Sequence, residues 1–192
     1  MNRTFARLVL LAPLAVQTYR YLGEALFYGE YVHWSSDVAA YLLIATVALS
    51  PLRMLLPRSQ PANWLLRHRR DIGLAAFVYA AAHTLAYLDN AASMSSVIEA
   101  GSSPDMLTGW LALLVLLALA LTSNNLSVRL LGRRWKQVHR WVYVGGVLTF
   151  SHWVLTAFDP TAGAIGFAAF IAVLVIGAVA RTRIRRRRPG MR

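Results

Sequence analysis

Residues 106–123 read MLTGWLALLVLLALALTS, and this stretch decides the class of the fold. None of these consecutive residues carries a charged side chain. An α-helix of this length rises about 27 Å, which is close to the ~30 Å thickness of a bilayer's hydrocarbon core. The rest of the chain has the same character, because 57% of its 192 residues are hydrophobic. The sequence therefore predicts an all-α integral membrane protein.

Five further apolar segments have a similar length, so the chain is predicted to cross the membrane six times. The first segment is the least regular, because Gln17, Arg20 and Glu24 interrupt it. We interpret it as a retained first helix and not as a signal peptide, since no clear small-residue cleavage site follows it. The connecting stretches are short, which predicts a single six-helix bundle without a soluble domain. The predicted spans are residues 7–27, 38–56, 72–90, 106–123, 140–157 and 162–180.

Two features are predicted to separate the second span from the third. Ser50-Pro51 is expected to end the second span, because proline lacks the amide hydrogen that a helix interior requires. The stretch PRSQP at residues 57–61 is predicted to be a loop.

The basic residues are distributed unequally between the two sides of the membrane. In a six-span topology, 19 of the 20 Lys and Arg residues lie on the side of the two termini, and the opposite loops carry acidic residues only. The positive-inside rule then places both termini in the cytoplasm. The formal net charge of +12 is accordingly interpreted as a topology signal and not as a nucleic-acid-binding surface. The tail over residues 181–192 is predicted to be a basic cytoplasmic segment that binds anionic membrane lipid or, alternatively, an acidic cytosolic partner.

Histidines are the candidates for cofactor chemistry. The chain has no cysteine, which excludes disulfides, thiolate metal sites and iron–sulfur clusters. An ionisable residue inside a membrane span is a functional candidate, although a single buried histidine can also simply hydrogen-bond to a neighbouring helix. The five histidines are His33, His68, His83, His139 and His152.

Three of these histidines fall at informative depths in the predicted spans. At a rise of about 1.5 Å per residue, His83 lies ~18 Å along the third span from its cytoplasmic end. His139 lies at the cytoplasmic mouth of the fifth span, and His152 lies ~19.5 Å further along. Two imidazoles at one level can hold a haem iron from both sides, so His83 and His152 predict a haem b site. His139 predicts a second haem near the cytoplasmic face.

Several residues compete for a role at this inner haem. His68 precedes His83 by fifteen residues, which suits a ligand about one leaflet lower. It lies in the basic run LLRHRRD, so a solvated loop histidine is the alternative. Arg69 and Arg70 are expected to pair with haem propionates, since arginine recognises carboxylates well.

The fifth span must deviate from an ideal helix if both of its histidines face the bundle. The thirteen residues between them, at about 100° each, leave His152 roughly 140° away from His139. We expect a kink or π-bulge at Gly145-Gly146 to correct the phase. Close helix packing is the alternative explanation of these glycines.

The remaining histidine and most of the tryptophans are expected near the membrane surfaces. His33 is predicted to lie in the outer loop just before the second span, as an interfacial residue beside Trp34 or, alternatively, as a contact for a quinone or a partner. Four tryptophans are interpreted as interfacial anchors and not as electron relays: Trp110, Trp135, Trp141 and Trp153.

Three stretches resemble a known family. They are RRDIGLAAFVYAAAHTLAYL at 69–88, LALTSNNLSVRLLGRRWKQVHRWVYVGGVLTFSHW at 119–153 and HWSSDVAAYLLIATVALSPLR at 33–53. They are similar to the MsrQ family, the haem-binding membrane subunit of the bacterial periplasmic methionine-sulfoxide reductase system, within the ferric-reductase-like transmembrane superfamily. The chain departs from the family's usual pattern at Ser35-Ser36 and at PDMLTGW over 104–110, both on the outer side.

The resemblance implies a single ferric-reductase-like haem domain over residues 1–192, in the bacterial inner membrane. It implies haem b held by His83, His139 and His152, and it associates FMN with the chain. It further implies electron delivery from a cytosolic flavin reductase or the quinol pool to a periplasmic molybdopterin enzyme that reduces methionine sulfoxide. The chain has no glycine fingerprint for a dinucleotide, so the expected role is an electron-transfer subunit that is not catalytic alone.

Three other functions are compatible with the same residues. One is a stand-alone ferric-reductase-like haem protein with another acceptor. A second is a proton-coupled transporter that uses the histidines as proton relays. A third is an anchor subunit without a cofactor.

Overall fold

The computed structural model describes residues 3–187, without the side chains of residues 185–187. Part of the basic tail predicted over 181–192 therefore lies outside the described residues. Within them the secondary structure is helical throughout, with a 3₁₀ turn at His139–Trp141. The α-helices are α1 (Arg3–Leu22), α2 (Tyr28–Leu55), α3 (Gln60–Arg67), α4 (Arg69–Asn90), α5 (Met94–Ala100), α6 (Pro104–Leu121), α7 (Asn125–Leu131), α8 (Arg133–Val138), α9 (Val142–Thr156) and α10 (Thr161–Arg187).

Four of these helices are long and apolar enough to cross a membrane, namely α2, α4, α6 and α10. They cover four of the predicted spans, which confirms an all-α protein with several membrane-crossing helices. α1 and α9 cover the other two predicted spans, and α9 has only 15 residues. Short helices fill the connectors, which the sequence had predicted only as short links. These are α3, α5, α7 and α8.

Five helices form a closed ring. α2 packs against α4 and α10, α6 packs against α4 and α9, and α9 packs against α10. α1 lies outside this ring, against α4 and α2. α4 and α9 thus stand apart across the interior, while α2 and α6 each contact both of them. This arrangement is what brings side chains of α4 and α9 toward a common space.

Aromatic residues of α9 and α10 fill the part of the core between these two helices. Phe150 and Phe170 are fully buried, and their ring centres are 5.3 Å apart. Phe170 lies directly on Gly146, where an added Cβ would come within 2.1 Å of its ring. Trp153 packs on Phe150 at 6.1 Å between ring centres and joins the same core. The prediction that Trp153 is an interfacial anchor is therefore wrong, because its ring has aromatic partners inside the protein.

Polar bonds tie α1 to the ring near both ends of the helix. Arg7 Nε donates to Asp71 Oδ1 at 2.7 Å, and the Asp71 side chain is only 2% exposed. The Tyr21 hydroxyl donates to Asp89 at 2.8 Å. A buried carboxylate needs such a charged partner, so the Arg7–Asp71 pair fixes where α1 meets α4.

α2 begins ten residues before the predicted second span. It starts at Tyr28, so His33 is helical and the prediction of an outer-loop His33 is wrong. Glu30 at the third helical position reaches back to the amide of Phe27 at 3.4 Å, which helps to start the helix there. The sequence pattern missed this start because the first turns of α2 are too polar for an apolar window.

α2 also continues through the proline that was predicted to end it. Pro51 lies inside the helix, which ends at Leu55. Arg69 supports the preceding turn, since its Nε donates to the Thr46 carbonyl at 2.8 Å and its Nη1 to Ser50 Oγ at 3.0 Å. These bonds from α4 compensate in part for the amide hydrogen that proline lacks.

The predicted loop at 57–61 is also shorter than expected. α3 begins at Gln60, and the Ser59 hydroxyl accepts from the Ala62 amide at 3.4 Å as an N-cap. Pro61 falls in the first turn, where proline is tolerated because its missing amide hydrogen has no intrahelical partner.

Candidate cofactor site

His83 and His152 come from different sides of the ring and meet in its interior. α4 carries His83 and α9 carries His152, and the centres of the two imidazole rings are 6.4 Å apart. Both residues are half-buried. The two residues that the sequence placed at one depth therefore also face each other.

The separation of the two rings fits a single metal between them. A metal about 2.0–2.1 Å from one nitrogen of each ring would place the ring centres roughly 6.3 Å apart. The ring planes are inclined at 81°. This inclination is compatible with a shared metal, because each imidazole can rotate about its own metal–nitrogen bond.

Hydrogen bonds assign the proton on each of these rings. His83 Nδ1 lies 3.0 Å from the carbonyl oxygen of Val32, and His152 Nδ1 lies 2.7 Å from that of Asp105. A carbonyl oxygen only accepts, so Nδ1 carries the proton and Nε2 carries the lone pair. Metal-binding histidines show this arrangement, in which the second ring nitrogen donates to a backbone carbonyl or a carboxylate.

The protein supplies too few ligands here for a metal centre of its own. Among the residues that the structure describes, no three His, Asp or Glu side chains converge as a metal cluster. Two opposed imidazoles leave the other coordination positions of a metal unfilled. A porphyrin fills four such positions in one plane, so the donor set fits haem iron with two axial histidines.

A cavity of about 300 Å³ adjoins both rings. α2, α4, α6 and α9 all contribute to its lining, which is mainly apolar. Polar and aromatic side chains line it toward the outer ends of the helices, among them His33, Ser36, Tyr87 and Trp110. His33 thus belongs to the wall of this cavity and not to a loop. The cavity supplies the apolar space that a porphyrin needs beside its ligands.

His139 has the same hydrogen-bond pattern on the other side of the protein. Its Nδ1 lies 3.2 Å from the Trp135 carbonyl oxygen, and its Nε2 lies 3.3 Å from Ser123 Oγ. The Ser123 hydroxyl donates its one proton to the Leu119 carbonyl at 2.7 Å. The Nε2 lone pair of His139 therefore stays available to a metal.

Stacking and charge keep the His139 ring ordered and neutral. The ring stacks on Trp135, with the ring centres 3.8 Å apart and the planes at 24°. Burial lowers the pKa of His139, and the positive charges of Arg69 and Arg70 act in the same direction. The imidazole is thus neutral at neutral pH, as a metal ligand must be.

The 3₁₀ turn at residues 139–141 changes the phase between His139 and His152. Three residues at about 120° each, in place of 100°, reduce the angle between the two side chains from roughly 140° to roughly 80°. α9 itself is a continuous α-helix across Gly145 and Gly146, so the prediction of a kink or π-bulge there is wrong. These glycines allow close packing instead, on Val115 and Phe170.

Comparison with known proteins gives the same region a family. A model described as the ferric reductase like transmembrane component matches residues 35–150. Proteins named protein-methionine-sulfoxide reductase heme-binding subunit MsrQ, from Brucella ovis and Brucella canis, are 36% identical over 157 residues, which is 80% of this chain and 69% of theirs. This chain belongs to the MsrQ family. The matched model includes His83 and His139 and ends two residues before His152.

His68 lies apart from His139 in this MsrQ-family chain. Its ring packs on Trp64, with 4.7 Å between ring centres, and its Nδ1 lies 3.5 Å from Asp71 Oδ2. That close approach is not a hydrogen bond, and the buried Nδ1 has no hydrogen-bond partner among the described residues. Neither a ring contact nor a hydrogen bond joins His68 to His139 in the described part of the chain.

Arg69 and Arg70 contact different helices. Arg69 braces α4 against α2 through its bonds to Thr46 and Ser50. Arg70 Nη1 donates to Asn125 Oδ1 at 2.9 Å, at an exposed position. A guanidinium has five N–H donors, so Arg70 keeps the larger number free for a carboxylate.

Sequence reasoning missed four contributors to the MsrQ-family site. Two are the backbone carbonyls of Val32 and Asp105, which carry no side-chain signal. Trp135 precedes His139 by four residues, and this spacing on one helix face was a usable signal. Gly109 is the fourth, and its role follows from space alone.

Gly109 lets the His152 ring lie against α6. A Cβ added at Gly109 would come within 2.8 Å of His152 Cε1 and Nδ1. Contacts of that length are not tolerated, so any larger residue would push the imidazole away. The position therefore belongs to the site although its own atoms bind nothing.

Gly109→Ala is expected to displace the His152 ring and to lower the content of haem bound at this pair several-fold, since second-sphere changes at metal sites cost about 10–100-fold in affinity. The haem content of the purified variant measures this effect. Gly29→Ala is the matched control, because a Cβ at that helical glycine meets nothing within 4 Å. Equal haem content in the two variants would show that the packing of Gly109 does not position the ligand.

Proposed function

We propose that this chain is a membrane cytochrome b that relays electrons from the cytoplasmic side to a periplasmic molybdopterin methionine-sulfoxide reductase. The observation that carries the proposal is the shared hydrogen-bond pattern of His83, His139 and His152. Each ring donates from Nδ1 to a backbone carbonyl and keeps the Nε2 lone pair available. The membership in the MsrQ family, whose Brucella members are named as heme-binding subunits, supports haem as the group bound.

His83 and His152 form the proposed outer haem site. A haem b bound there would supply a one-electron ferric/ferrous couple. The carbonyls of Val32 and Asp105 hold the two rings in orientation through their Nδ1 hydrogens. The apolar walls of the cavity keep water from the pair, which raises the strength of these bonds.

His139 is the proposed ligand of the inner haem. Trp135 fixes its ring by stacking, and Arg70 lies close enough to act on its pKa while keeping donors for a propionate. His68 is not included, because its ring is packed on Trp64 and beside Asp71. The three proposed ligands therefore divide into a pair at one level and a single histidine at another.

The proposed topology has six membrane spans with both termini in the cytoplasm of a bacterial cell, in the inner membrane. The positive-inside rule supports this orientation, since the connectors around α3 and α7–α8 and the tail carry most of the Lys and Arg residues. His139 then marks the side at which electrons enter. The His83–His152 pair, about 21 Å along α4 from Arg69, marks the side at which they leave.

The chain is proposed to act in partnership and not as an enzyme alone. Its electron donor is a cytosolic flavin reductase, with FMN as carrier, or the quinol pool. Its acceptor is the periplasmic reductase. The basic cytoplasmic surface suits the acidic lipid headgroups of the inner leaflet.

Reoxidation of the reduced protein tests the acceptor. Purified protein is reduced with dithionite, freed of excess reductant under argon, and mixed with a periplasmic molybdopterin methionine-sulfoxide reductase. Adding methionine sulfoxide should restore the oxidised haem spectrum, and omitting it should not. Haem bands that stay reduced with the complete mixture would reject this acceptor while leaving haem binding intact.

A further inference from the structure

Each carbonyl that holds an outer histidine also accepts a hydroxyl hydrogen from its own helix. Ser35 Oγ donates to the Val32 carbonyl at 3.1 Å, the same oxygen that lies 3.0 Å from His83 Nδ1. Thr108 Oγ1 donates to the Asp105 carbonyl at 2.7 Å, the same oxygen that lies 2.7 Å from His152 Nδ1. In both cases the hydroxyl lies three residues after the carbonyl. Two different helices thus repeat one arrangement around the two rings.

The hydroxyl and the imidazole compete for the same acceptor. A carbonyl oxygen has two lone pairs, and in a helix the amide four residues later occupies one of them. The hydroxyl and the Nδ1 hydrogen share what remains, so each bond is weaker than it would be alone. Ser35 is fully buried, so its hydroxyl has no water as an alternative acceptor.

The strength of the Nδ1 hydrogen bond sets how much electron density an imidazole gives to a metal. A strong bond from Nδ1 makes the ring a more basic ligand, which favours the ferric state. A weakened bond favours the ferrous state and raises the reduction potential, since hydrogen bonding around the axial ligands is one of the protein's means of setting that potential.

We propose that Ser35 and Thr108 are positioning residues that raise the reduction potential of the outer haem by competing with His83 and His152 for their carbonyl acceptors. This inference rests on the proposed function, because it requires haem at the His83–His152 pair. Its consequence is directional. A higher potential at the outer haem draws electrons from the His139 side toward the side where the acceptor docks.

Two substitutions and two matched controls test the inference. Ser35→Ala and Thr108→Val remove the competing hydroxyls with little change of shape. Ser36→Ala removes a neighbouring hydroxyl that donates at 2.8 Å to the His33 carbonyl, which holds no imidazole. Thr149→Val removes a hydroxyl that donates at 2.8 Å to the Gly145 carbonyl. All four positions except Ser35 and Thr108 themselves also line the cavity, so the controls test for a general effect of cavity polarity.

The measurement is an optical redox titration of each full-length variant in detergent, with His83→Ala identifying the outer haem's contribution. Ser35→Ala and Thr108→Val should each lower the midpoint potential of the outer haem, and the double variant should lower it further. Ser36→Ala and Thr149→Val should leave it unchanged. Unchanged potentials in the first pair, equal shifts in all four variants, or loss of haem from the first pair would each overturn the inference. Absence of haem from the wild-type protein would instead overturn the proposed function.

Discussion

Replacing His83 or His152 with alanine is expected to remove the outer haem completely. Each ring supplies one of the two axial positions, and their centres are only 6.4 Å apart across the cavity. Loss of one imidazole leaves the iron with a single protein ligand and leaves the remaining ring unpaired. His139→Ala should remove the inner haem and spare the outer one, because His139 lies in a different part of the structure.

Haem content per polypeptide and the reduced spectrum of each purified variant measure this result. His33→Ala is the matched control, since His33 lines the same cavity but is not proposed as a ligand. His33→Ala should keep the wild-type haem content. If His83→Ala, His139→Ala and His152→Ala all keep it as well, the ligand assignment is wrong.

Gly146→Ala is expected to produce the largest loss of stability. An added Cβ would come within 2.1 Å of the ring of Phe170, which is fully buried and packed on Phe150. Overpacking of this kind costs about 1–3 kcal/mol or more. Alanine gains about 1 kcal/mol over glycine in a helix, which does not offset so severe an overlap. The melting temperature in detergent should therefore fall by several degrees.

Gly177→Ala is the control for this substitution. Gly177 is a buried glycine inside α10, and a Cβ there would meet its nearest atoms at 3.5–3.7 Å, which is ordinary contact. This variant should melt at or above the wild-type temperature. A Gly146→Ala variant as stable as Gly177→Ala would mean that α9 and α10 are not packed as described.

The sequence predicted the level of the histidines but not how they are held. Counting the rise per residue was enough to place His83 and His152 at one depth, because both lie in regular helices. The carbonyl acceptors were invisible, because a backbone oxygen becomes available to another helix only through packing. Gly109 was overlooked for a related reason, since a glycine's contribution is the space it leaves.

The departures at α2 and at the 3₁₀ turn have a common physical cause. Tertiary bonds overrode local preference, as when Arg69 supported the turn before Pro51. The change of helix type at His139–Trp141 likewise has no strong residue signal. The paired glycines at 145–146 drew attention to the wrong place, because small residues in a membrane helix more often serve close packing.

The absorption spectrum of the dithionite-reduced protein, purified from membranes, tests the central claim most directly. We expect the bands of a haem b with two histidine ligands, with the outer component missing from His152→Ala. A wild-type protein that shows no haem b bands, when purified from cells that synthesise haem, would contradict the account.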